Sequence, residues 1–216
     1  MKTVVMFAGK INSGKNLAAE TLKNIFEDEG ISAEVMMLAQ GVKDGCREDF
    51  KRLADYLNAL AKEEREEVGN DYLADLLEIK DENWYEKKTP LTRILLQTYG
   101  TEIFRNRVDR NYWTEALAKR ILESKSDRVV VSDMRFPDEC DHLKNIFEEA
   151  GEEIAVKSVL VKRSEREESE AEIVDDHASE TSLEDYRFDY VLRNDGTKDD
   201  MLHCLRKTFV SAKPNS

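Results

Sequence analysis

Two rhythms of apolar residues alternate along this chain. Residues 3–8 form an unbroken, β-branched apolar run that stops at Gly9, which predicts a strand buried on both faces. From 15 to 29 the spacing becomes helical: Leu17, Ala18, Leu22, Ile25 and Phe26 share one side, and Gly30 stops the helix. Apolar runs at about 35–38, 128–133, 154–161 and 188–192 predict four more strands. Helices are predicted over about 111–123, with Trp113, Leu117 and Ile121 on one face, and over 138–150 and 198–210. Another helix opens with Thr89 as N-cap and Pro90 at the first helical position, and Gly100 marks its end. The intervening stretch 44–88 is charged and nearly free of β-branched residues, and reads as a helical insertion over the sheet edge.

Strands that alternate with helices predict an α/β layered fold around a mainly parallel sheet. The 216 residues suit a single domain: a core of 1–43, 125–161 and 187–211, a helical region 44–124, and a charged segment near 162–186. Hydrophobic residues make up 40%, enough for a real core, and no run is long enough to cross a bilayer. The N-terminus lacks a small-residue cleavage pattern, and Cys46, Cys140 and Cys204 lie far apart without a CxxC pair. Both features lead us to expect reduced thiols and a cytoplasmic location. A net charge of −13 argues against binding a nucleic-acid polymer, whereas a small phosphorylated ligand needs only a few local cations.

The sequence Gly9-Lys10-Ile11-Asn12-Ser13-Gly14-Lys15 satisfies the phosphate-binding pattern G-x-x-x-x-G-K between a buried strand and a helix. Glycines let the backbone curl so that several N–H groups face one anion, the helix N-terminus adds partial positive charge, and Lys15 reaches the β- and γ-phosphates. The position that usually carries a Mg²⁺-binding hydroxyl is Asn16, whose amide oxygen can meet a metal-bound water. No N-K-x-D guanine motif occurs, and Asp133 does not begin a D-x-x-G switch.

A second cluster lies at 89–113 and 129–139. Arg93 and Gln97 stand four apart, so both can converge on one ligand or simply form a solvated helix face. Gly100 and Thr101 offer a backbone N–H and a hydroxyl beside them. Asp133 and Arg135 sit at a strand's carboxyl end, where open α/β sheets bind ligands, or they form a structural pair there. Glu139 is either a ligand group or a carboxylate at a helix start, and Trp113 either a core anchor or a wall beside a nucleobase.

The runs LLQTYGTEIFR (95–105), VVVSDMRFPDE (129–139), HASET (177–181) and FDYVLRNDGT (188–197) resemble the bacteriophage deoxynucleoside monophosphate kinase family over nearly the whole chain. The resemblance implies a P-loop NTPase three-layer fold with a helical monophosphate-binding insertion and a lid. It implies ATP as phosphoryl donor with Mg²⁺, and a deoxynucleoside monophosphate (dNMP) acceptor held by Arg93, Gln97, Gly100, Thr101, Trp113, Asp133, Arg135 and Glu139. The donor would be held by Gly9, Lys10, Asn12, Ser13, Gly14, Lys15, Asn16 and Leu17. Asn16, Leu17 and Ile94 depart from residues the family often carries. A homodimer, and host cytoplasm for a phage-encoded chain, belong to the same implication.

The charged run 162–180 matches the lid of such kinases, with Arg163 and Arg166 as candidate phosphate contacts, or a solvated loop. His177 lies nearby, although Ser182 with Asp185 explains the region as a helix start. The turn at 193–197 is placed to wrap an adenine, or is an ordinary strand-to-helix turn. The expected mechanism is direct in-line transfer, with Lys15, Arg135 and Asp133 as catalytic groups, and Asn16 and Asp133 toward the metal. Three rivals stand beside it: a kinase of the animal phosphomevalonate type, a non-catalytic nucleotide-binding module, and an ATPase motor or switch.

Overall fold

A computed structural model describes residues 1–10, 12–59, 90–164, 182–183 and 185–210. In chain order the elements are β1 (Lys2–Ala8), α1 (Lys15–Asp28), β2 (Ala33–Met36), α2 (Leu38–Ala59), α3 (Pro90–Gln97), a π-helix (Thr98–Val108), α4 (Tyr112–Glu123), β3 (Arg128–Val131), α5 (Pro137–Glu149), β4 (Ile154–Lys162), β5 (Tyr190–Arg193) and α6 (Lys198–Phe209). The five strands form one sheet in the order β2-β3-β1-β4-β5, parallel at every pairing and flanked by helices. Parallel neighbours require crossovers, and helices lie in each connection from β1 to β4. The chain divides into two compact units, Met1–Leu38 with Thr114–Ser216, and Ala39–Trp113.

The first unit is built around β1, the central strand. Val5 and Phe7 project to one face, where the α1 stripe Ala18, Ala19, Leu22, Ile25 and Phe26 meets Met201 and Leu205 of α6. Val4 and Met6 alternate to the opposite face and are equally buried. Burying an aliphatic or aromatic side chain of this size contributes about 1.5–3 kcal/mol, so the unbroken run at 3–8 is what fixes β1 between two helical layers. Register places Met6 beside Val131 and Ala8 beside Leu160, so the carboxyl ends of β1, β3 and β4 are staggered by two residues at each step and their following loops share one edge.

Three element boundaries differ from expectation. The strand predicted over 128–133 ends at Val131. Ser132 N–H donates to Met36 O and Met134 N–H to Phe7 O, so residues two apart turn to opposite neighbours and the ladder breaks before Asp133. The helix predicted to stop at Gly100 continues instead as a π-helix to Val108, with the Asp109 N–H reaching Phe104 O five residues back. Gly100 is a close-packing glycine: a Cβ there would meet Val42 Cγ1 at 2.9 Å.

The same logic extends α2 back to Leu38, ahead of the start expected near 44. Gly41 and Gly45 weaken that helical signal in the sequence. In the second unit they lie one turn apart, and added Cβ atoms would meet Trp113 Cε3 at 3.2 Å and the Tyr99 hydroxyl at 2.9 Å. The aromatics beside them stack in tilted pairs, Tyr99 on Phe104 at 4.7 Å and Phe104 on Trp113 at 5.0 Å. Helix α2 and its glycines thus floor an aromatic cluster. Among the described residues no helix is long and apolar enough to cross a membrane.

The three cysteines are thiols, Cys46 and Cys140 buried and Cys204 exposed. Burial, with help from Asp49, pushes the Cys46 thiol from an ordinary 9.0 up to about 12. Burial raises Cys140 too. A thiol reagent at pH 8 is therefore expected to label Cys204 quickly and the other two only in denaturant, read as labelling stoichiometry against time. Because folding holds the Cys46 proton, its stability contribution is full below pH 9 and is lost as pH rises toward 12. Urea midpoints should accordingly fall through that window.

Candidate active site

The loop between β1 and α1 has the backbone that an anion cradle requires. Gly9, Asn12 and Gly14 have φ of +155°, +62° and +92°, and successive bends of this kind turn N–H groups to one side. Ser13 N–H donates to Lys10 O at 3.2 Å, which closes the turn. Helix α1 starts at Lys15, and the Ala18 N–H is the one that reaches back to Gly14 O. The N–H groups of the first turn of α1 point past its positive end. Lys15 Nζ lies across the loop, donating to Lys10 O at 3.3 Å.

Space inside the loop is tight. A Cβ on Gly9 would meet Ser13 Oγ at 2.5 Å and the Val161 carbonyl at 2.6 Å. The Ser13 hydroxyl is buried and has no hydrogen-bond partner among the described residues, which suits a group positioned for a ligand oxygen. Asn16 and Leu17 are exposed on the first turn of α1, and Lys10 is exposed on the loop.

Asp133, Arg135 and Glu139 follow β3, the sheet neighbour of β1, so they lie at the same strand edge as the loop. Asp133 is buried, and its Oδ1 accepts the Leu38 N–H at 2.8 Å, which caps the start of α2. Glu139 is buried at the start of α5. Its Oε2 accepts the Arg135 N–H at 2.7 Å and the Phe136 N–H at 3.1 Å, folding the segment back on itself. The Arg135 backbone is therefore fixed by Glu139, and its half-buried side chain leaves from a rigid turn.

In the helical unit, Arg93 is exposed on α3 and Gln97 is half-buried one turn on. Gly100 and Thr101 are buried in the π-helix, where the widened turn follows directly from Gln97. Trp113 Nε1 donates to Gly100 O at 2.8 Å, so Trp113 and Gly100 belong to one rigid cluster. Tyr99 O–H donates to Asp49 at 2.6 Å, and burial, with this bond, raises the phenol above its ordinary range.

Arg163 lies exposed just past β4, within the field of Asp195, whose carboxylate is held below its usual range by the Ser164 N–H. Arg166 and His177 lie outside the described residues, as does most of the predicted lid. Nearby, Tyr186 N–H donates to Leu183 O at 3.2 Å. Sequence reasoning missed Asn194, whose Nδ2 donates to Ser13 O at 2.8 Å. It also missed the role of Gly41 and Gly45, although two glycines four apart in a helix are a legible sign of close packing.

A family model described as deoxynucleotide monophosphate kinase matches residues 50–205, more than half of the chain. The match includes the positions from Arg93 to Glu139 and leaves out the loop at 9–15, so the two signals are independent. No curated protein matches the sequence. Among solved structures, the Mycobacterium tuberculosis APS kinase in complex with AMPPNP and APS is similar at 13% identity and a TM-score of 0.49, over 95% of this chain and 96% of that one. A mutant of the same enzyme gives 13% and 0.44 over 95% of both chains. The Deinococcus radiodurans tunicamycin resistance protein gives 9% and 0.39 over 97% and 96%.

Proposed function

We propose, from the premise that the chain belongs to the deoxynucleotide monophosphate kinase family, that it transfers the γ-phosphoryl of ATP to a dNMP, giving dNDP and ADP. The observation that carries this reading is the cradle at Gly9–Lys15: left-handed bends, a helix N-terminus, a buried hydroxyl unpartnered among the described residues, and a lysine on one loop. Those groups fit a chain of phosphates and little else. The loop amides and Lys15 hold the donor. The groups that recognise the acceptor are Arg93, Gln97, Gly100, Thr101 and Trp113 of the helical unit, and Asp133, Arg135 and Glu139 of the sheet unit.

The reaction is a direct displacement. An oxygen of the acceptor phosphate bonds to the γ-phosphorus while the bond to the β,γ-bridging oxygen breaks, and the electron pair leaves with ADP. A phosphate monoester has a second pKa near about 6, so the attacking oxygen is already ionised and no strong base is needed. Catalysis is then positioning and charge neutralisation. The exposed Asn16 amide and the buried Asp133 carboxylate would hold Mg²⁺, directly or through its waters, and the ion would neutralise phosphate charge. Arg163 would add a cation from the start of the lid segment.

A coupled assay with ATP and each of dTMP, dGMP, dCMP, dAMP and phosphomevalonate tests the proposal. Phosphorylation of at least one dNMP is the expected result. Transfer to phosphomevalonate alone, ATP binding without transfer, or hydrolysis without an acceptor would each replace it with one of its rivals. Within the proposal, Arg93→Ala and Arg135→Ala should each raise the dNMP KM by about ten- to hundredfold, the cost of one charge-assisted hydrogen-bonded contact. The KM for ATP should change little, and the two values separate in initial-rate data.

A further inference from the structure

The turn after β5 grips the phosphate loop from outside. Asn194 Nδ2 donates to Ser13 O at 2.8 Å. Its own backbone is held by the Asn194 N–H to Lys162 O at 2.7 Å, at the end of β4. A Cβ on Gly14 would collide with Asn194 Nδ2, so the amide lies directly over the Ser13–Gly14 peptide. The neighbouring β4 residue, Val161, abuts Gly9 through its carbonyl at the other end of the loop. The loop is thus bracketed at both ends by the β4–β5 edge, and Asn194 anchors it there through its side chain.

We propose that Asn194 is a positioning residue for the phosphoryl donor, acting on the cradle and not on the base. This rests on the reading of the loop as the donor site. The peptide bond is planar and trans, so its C=O and N–H point in opposite directions. Pinning the Ser13 carbonyl to Asn194 therefore aims the Gly14 N–H away from Asn194, toward the side on which Lys15 and the first turn of α1 present theirs. Gly14 sits at φ +92°, where glycine also visits other conformations readily. Without the clamp this peptide can flip, which replaces a donor with a carbonyl facing the phosphates. The need for glycine at 14 and for an amide at 194 is then one requirement: a side chain at 14 would occupy the space of the clamp.

The test compares Asn194→Ala and Asn194→Asp with the unaltered protein. The aspartate keeps size and backbone bond but cannot donate to the carbonyl. Three quantities are read: inhibition by inorganic tripolyphosphate, the KM for ATP, and the KM for dNMP, with the unfolding temperature of each variant. The expected result is that tripolyphosphate and ATP both weaken by about tenfold, the scale of one hydrogen bond with its peptide order, while the dNMP KM holds. Asn194→Asp should be at least as impaired as Asn194→Ala although its unfolding temperature is closer to normal. Unchanged tripolyphosphate inhibition in both variants would overturn the proposal, and so would weakening of ATP alone, which would assign Asn194 to the nucleoside. Failure of the donor-site reading looks different: the unaltered protein itself would not respond to tripolyphosphate.

Discussion

Lys15→Ala is expected to abolish phosphoryl transfer while leaving the fold intact. Lys15 is the first residue of α1, and its ammonium already lies over the loop, donating to Lys10 O at 3.3 Å. The side chain takes no part in the packed stripe of Ala18, Ala19, Leu22, Ile25 and Phe26, and alanine is the best helix former, so the apo unfolding temperature should hold. The loss is electrostatic. A preorganised donor aimed at charge that develops in the transition state is worth on the order of 10²–10³ in kcat, and a full cation beside the β- and γ-phosphates should reach the upper end or beyond. Initial rates at saturating ATP check this, with thermal unfolding as control. Turnover near normal in this variant would show that the loop is not the donor site.

The distinction between legible and illegible parts follows the range of the interactions. The buried strand at 3–8 and the α1 stripe were readable because both rely on local periodicity, and the α/β order follows from their alternation. The loop was readable because its chemistry needs glycine at two fixed positions and a lysine at a third. Boundaries failed where a partner distant in sequence decides them. β3 stops at Val131 because Ser132 and Met134 turn to Met36 and Phe7. The helix at Gly100 runs on because Val42 and Trp113 close over the glycine. Asn194 illustrates the limit most sharply, since its partner Ser13 is 181 residues away and RNDGT reads equally well as a plain turn. Glu139 shows a different limit: the sequence offered capping or ligand binding, and the capping bonds to the Arg135 and Phe136 N–H groups depend on how the segment after β3 folds back.

Gly9→Ala should impair both stability and activity, for a reason that separates it from an ordinary glycine substitution. The residue sits at φ +155°, and an added Cβ would lie 2.5 Å from Ser13 Oγ and 2.6 Å from the Val161 carbonyl. The hydroxyl can rotate away. The carbonyl cannot, because Val161 is in β4, held between β1 and β5, with Val161 registered against Leu192. The loop must therefore move. Backbone strain of this kind costs about 1–3 kcal/mol, and displacing reacting groups by an ångström can cost about 10²-fold in rate, so kcat/KM should drop by two orders of magnitude together with the unfolding midpoint. Gly151→Ala is the matched control. It has φ +69° but nothing within 4 Å of the added Cβ, at the far end of α5. It should show only the left-handed backbone penalty of about 1–2 kcal/mol and unchanged transfer. If the two variants behave alike, the space around Gly9 is not what the loop requires, and the cradle owes its shape to φ alone.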